Sequence, residues 1–158
     1  MDREFDEATY YAEEGDKVTS LASDVVGLLK GMNDAQSDVL ARAGIKRLSP
    51  CADFIGDFAY YVSVHGLRLG VRFEHAWSGQ PGMQRLVGVL SFAAIEKNEF
   101  KDEPYLLMRV ESTGIVAIRE LDNWQEMVPG HQPDVVVYRY AKSLLRSVQR
   151  RLRVISSD

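Results

Sequence analysis

A single cysteine, Cys51, stands among the 158 residues, so no intramolecular disulfide can form and a reducing, cytoplasmic-type compartment is expected. Histidine is nearly as scarce: His65, His75 and His131 are scattered along the chain. No Cys-x-x-Cys or His-Glu-x-x-His spacing accompanies them, so no metal site is expected. The nucleophile elbow, the phosphate loop and the dinucleotide fingerprint are missing as well, and no cofactor is expected. No apolar run approaches the ~20 residues that cross a bilayer, and the acidic start MDREFDEATYY resembles neither a secretory signal nor a basic transit peptide. What is left is one α+β domain over residues 1–158, with residues 1–15 flexible or forming a short helix.

The composition is that of a globular chain, 46% apolar and 27% charged. Its net charge of −4 conceals a polarity. Residues 1–24 hold eight acids against Arg3 and Lys17, whereas residues 135–158 hold six bases against Asp158. Such asymmetry arises when a chain meets an anionic partner or when its two ends meet each other.

Hydrophobic spacing divides the chain into three parts. From Asp16, read as an N-cap, Val18, Leu21, Ala22, Val25, Leu28, Leu29 and Met32 recur at helical intervals after a break at Gly15. A shorter helix follows Asn33-Asp34 and closes at Gly44, and Ser49-Pro50 offers one further helical turn before residue 56. The period then changes to two. Phe58, Tyr60, Val62 and Val64 alternate with more polar neighbours, His65-Gly66 makes a tight turn, and Leu67, Leu69, Val71 and Phe73 return. Tyr60 and Tyr61 point to opposite faces, so one of them is expected to stay partly exposed. Further strands are expected over 85–95, 105–111 and 115–119, giving a five-stranded antiparallel meander. Residues 121–134, LDNWQEMVPGHQPD, read as a turn-rich connector. A final helix from about Pro133 to Ile155 is expected to pack on one sheet face. Should the opposite face prove apolar, a second copy of the chain would cover it, making a homodimer.

That last helix carries the most distinctive pattern. Val137, Ala141, Leu144, Leu145, Val148, Leu152 and Ile155 share one side. Arg139, Lys142, Arg146, Arg150 and Arg153, at spacings of three and four, share the other, with Arg151 on the flank. The plain account is a solvated face complementing the helix dipole, or one covered by the acidic N-terminal segment. The sharper account is an anion-binding ridge. The loop 77–83 adds Trp77, placed where an exposed aromatic anchors a partner, and Trp124 falls in the later connector, at the other end of the sheet.

These residues lead to three functional readings. Foremost is a non-enzymatic, intracellular protein-interaction domain (adaptor, inhibitor, immunity or chaperone-like) acting through a surface and not through a membrane. Second is a nucleic-acid-binding accessory protein using the basic ridge, which an isoelectric point near 5.4 opposes. Third is a small enzyme in which Cys51 and His75, brought to one end of the sheet by alternating strands, form a nucleophile pair oriented by Asp53 or Glu74. The plainer account of that pair is a small buried thiol and a surface histidine.

Overall fold

The computed structural model describes residues 2–49, 56–101, 103–120 and 123–156. The architecture is α+β: a long N-terminal helix, an antiparallel sheet and a C-terminal helix. Helix α1 runs from Arg3 to Asp34 and α2 from Asp38 to Arg42. Strands β1 (Lys46–Leu48), β2 (Tyr61–Val64), β3 (Leu67–Ser78), β4 (Arg85–Glu96), β5 (Glu99–Phe100), β6 (Leu106–Glu111), β7 (Val116–Glu120) and β8 (Asn123–Met127) follow, and α3 (Pro133–Arg150) comes last. The sheet order is β1-β2-β3-β4-β6-β7-β8, with β5 folded back on β4. It is a meander, as the short turns imply, but it has eight strands rather than five.

The three additional strands lack a period-two signal. β1 and β5 are too short to show one. β8 is an edge strand whose first four residues are all exposed, so its sequence is polar on both faces. The hairpin from β4 to β5 turns at Lys97 and Asn98, both at positive φ (52° and 64°), a conformation that asparagine tolerates better than most residues. The His65-Gly66 turn has the expected geometry, with φ of 51° and 74°.

Helix α1 is continuous where the sequence suggested a break. Its cap is Asp2, whose carboxylate accepts from the backbone N–H groups of Glu4 (3.0 Å) and Phe5 (3.3 Å), and Asp16 lies within the helix. Gly15 stays helical because the helix there touches the sheet: a Cβ would meet the His75 ring and Leu86 at 3.5 Å. Three residues on, Val18 sits over Gly88, where a Cβ would come within 2.6 Å of the valine and 2.7 Å of Phe73. Glycine in β4 therefore sets how closely α1 approaches.

The same contacts fix the faces of the sheet. With Gly88 under α1 and Phe92 against Tyr140 of α3 (5.2 Å between ring centroids), the even-numbered residues of β4 face the helices. Leu69, Val71, Leu90, Met108, Val110, Val116 and Ile118 complete that core with Val26 and Leu29 of α1 and Leu144 and Val148 of α3. Tyr60 and Tyr61 are both buried, contrary to expectation. The Tyr60 hydroxyl donates to Asn33 Oδ1 and accepts from Tyr140 at 3.3 Å, while Asn33 donates to the Ile45 carbonyl at 3.1 Å. Burial raises both tyrosine hydroxyls well above their ordinary pKa, so both are neutral donors across the physiological range.

The opposite sheet face mixes charged pairs with apolar residues such as Val89, Ile95 and Leu107, so it is not wholly apolar. Arg85 pairs with Glu111, and Arg109 lies 3.8 Å from Glu111 and 3.6 Å from Glu126. The Arg109 guanidinium also sits 4.8 Å from the centre of the Trp124 ring. Among the described residues no helix is long and apolar enough to cross a membrane.

A basic groove beside the C-terminal helix

Helix α3 begins with Pro133 in its first turn and Asp134 next to it, both suited to a helix start. It buries Val136, Val137, Tyr140, Ala141, Leu144 and Val148. At about 100° per residue, Arg139, Lys142, Arg146 and Arg150 are carried to the other side. The helix ends at Arg150 rather than near Ile155, so Arg153 is not part of the ridge. Arg151 explains the stop. Its guanidinium lies 3.6 Å from the centre of the Tyr105 ring, donates to the Pro104 carbonyl at 3.1 Å and sits 3.6 Å from Glu103. Leu152 and Ile155, expected on the buried side, are 48% and 75% exposed.

The ridge is not uniform. Arg139 is tied to Gln125 of β8, and Lys142 lies 6.0 Å from the centre of the Tyr138 ring. Arg146 and Arg150 are exposed and form no ion pair among the described residues. They flank a groove of about 480 Å³ between α3 and the start of β6. Arg119 reaches it from β7, Ser143 and Ser147 from α3, and Tyr105 and Leu106 form its apolar wall. The Ser147 hydroxyl donates to the Tyr105 carbonyl, pinning the helix to this wall. The acid in the described lining is Glu103, which faces Arg151. Two exposed guanidinium groups at the mouth of one groove make a site for carboxylate or phosphate oxygens.

The acidic N-terminal segment does not cover it. Tyr11 packs edge-on against Trp77 at 4.9 Å, and Trp77 pairs with Leu86. The groove wall at Leu106 pairs with Phe92. Six residues of β4 separate the two levels, about 20 Å of strand. The Debye length at physiological salt is about 8 Å, so acids that far away leave the groove's field in place.

Trp77 itself lies within β3 and not in a loop, because that strand continues to Ser78. It is half exposed, faces the helix side and packs against Tyr11. Trp124 is likewise in a strand, β8, on the opposite face of the sheet. Nε2 of His75 is 3.0 Å from both the Gly15 carbonyl and the Thr19 hydroxyl, so α1 engages it. Cys51 and Asp53 lie outside the described residues, as does the turn suggested by Ser49-Pro50. No group of three or more histidine, cysteine or carboxylate side chains suited to a metal occurs among the described residues. A second groove, of about 490 Å³, runs between Leu21, Val25 and Leu28 of α1 and the segment Val128–Pro133; its lining is mainly apolar.

Sequence reasoning found the ridge but missed Arg119 and the serines. Arg119 lies at the end of a strand far away in sequence, and only the β6-β7 pairing brings it close. Comparison with protein-family models, curated proteins and solved structures finds no match.

Proposed function

We propose that this chain is a non-enzymatic protein-interaction domain whose groove beside α3 receives an acidic segment of a protein partner. The observation that carries this reading is the pair Arg146 and Arg150, exposed and without an ion-pair partner among the described residues, at the mouth of a groove that Arg119 also lines. An apolar wall of Tyr105 and Leu106 beside the guanidinium groups suits a peptide, which offers carboxylates and side-chain carbon together. A nucleic acid asks for a longer one-signed surface, and here the positive face is confined to one helix and its groove, on a chain of net charge −4.

The test is fluorescence anisotropy at about 50 mM salt, where screening is weak. One labelled probe is an oligoglutamate peptide and the other a single-stranded oligonucleotide of similar charge. The peptide should bind, and the double variant Arg146→Glu, Arg150→Glu should weaken it by about tenfold or more, the equivalent of roughly 1.4 kcal/mol. Preference for the oligonucleotide would transfer the groove to nucleic acid. Absence of binding to both probes would end the reading.

A further inference from the structure

The groove has a complement on the same chain that the chain cannot bring to it. Residues 3–14 of α1 run past the point where Gly15 meets the sheet. They are exposed apart from Tyr11 and Glu14, which are half-buried. Five acids stand there against Arg3 alone, and none of the five forms an ion pair among the described residues. At about 100° per residue, Asp6, Glu7, Glu13 and Glu14 gather on one side of this helical arm, with Tyr10 at their centre. Tyr10 is 57% exposed.

We propose that this arm docks in the basic groove of a second copy of the chain, each copy giving its arm to the other. The proposal rests on the groove reading above and names its partner. Three observations favour a second copy. The charges are opposite, and neither Arg146 and Arg150 nor the arm's acids form an ion pair among the described residues. The lengths agree: from Asp6 to Glu14 is about 12 Å of helix, and the part of α3 that lines the groove, from Ser143 to Arg150, is about 10 Å. Within one copy, about 20 Å of sheet keeps the two surfaces apart. Pairing of arm with arm would bring like charges together. A reciprocal arrangement satisfies both grooves and closes on itself, whereas a one-way contact would leave an open chain.

Sedimentation velocity of the full chain reads this directly. The wild type should be a dimer at low salt and dissociate as salt rises. The groove variant Arg146→Glu, Arg150→Glu should be monomeric. So should the arm variant Asp6→Lys, Glu7→Lys, Glu13→Lys, Glu14→Lys. An equimolar mixture of the two should dimerise again, because a basic arm then meets an acidic groove and an acidic arm a basic groove. Recovery in the mixture also shows that both variants are folded. As a second measurement, a synthetic peptide of residues 2–14 should dissociate the wild-type dimer. A monomeric wild type at low salt and about 100 μM, a concentration at which even micromolar affinity gives dimer, would overturn the proposal. So would a dimer that neither variant disturbs, or a mixture that stays monomeric. If the wild type is monomeric but oligoglutamate still binds the groove, only the second-copy assignment falls. If neither association is seen, the groove reading falls with it.

Discussion

Helices α1 and α3 flank the same sheet with opposite charge and with different degrees of support. α3 is docked along its length: Val137, Ala141, Leu144 and Val148 recur at three- and four-residue intervals and all are buried. Its basic side faces outward as a by-product of that docking. α1 is docked only from Gly15 onward, through Val18, Ala22, Val25, Val26 and Leu29. Before Gly15 its apolar residues are two alanines, Tyr11 against Trp77, and Phe5 and Tyr10 in solvent. Most helical stability in a folded protein comes from packing an apolar face. One helix is therefore a core element throughout, and the other is half core and half arm.

The sharpest way to break this comparison is to remove equivalent apolar bulk from each part. Leu144→Ala opens a cavity under α3, where the leucine is fully buried, and should cost about 2–5 kcal/mol in urea denaturation. Phe5→Ala removes a larger side chain from the arm, yet should stay within about 0.5 kcal/mol of wild type, because Phe5 is 68% exposed. Equal losses would mean that the arm belongs to the core. A smaller effect tests the docked half of α1. Gly88→Ala drives a methyl against Val18 and the Phe73 ring, at 2.6 and 2.7 Å, and should destabilise by about 1–3 kcal/mol. A neutral Gly88→Ala would show that α1 can lift from β4 without cost.

The sequence was most legible where one physical signal acted alone. Strands β3, β4, β6 and β7 alternate or are continuously apolar, and α3 repeats at helical spacing, so their positions could be read directly. Elements shaped by contacts with distant residues could not. Gly15 looks like a helix breaker until it is seen pressed against His75 and Leu86. Leu152 and Ile155 look like core until Arg151 turns back onto Tyr105 and ends the helix. The same holds for the candidate site. Arg146 and Arg150 were evident from spacing, Arg153 was wrongly joined to them, and Arg119 became visible only through strand pairing. The charge polarity between the chain's ends was plain, but that the two ends cannot meet within one copy depends on where Tyr11 and Leu106 fall along the sheet.

The smallest expected effect is also the most specific to the arm. Asp2 caps α1 through the N–H groups of Glu4 and Phe5, and little else holds that turn. Loss of an N-cap typically costs about 1 kcal/mol, a factor of roughly five in a local opening equilibrium. Asp2→Ala should therefore speed amide exchange over residues 4–10 about fivefold under conditions where the chain is monomeric. The urea midpoint should not move, because opening these turns exposes no core residue. A drop in the midpoint would mean that the capped turn is coupled to the sheet. If the arm is held by a partner copy, the exchange difference should shrink under low-salt conditions that favour the dimer, since docking would then stabilise the turn that the cap no longer holds.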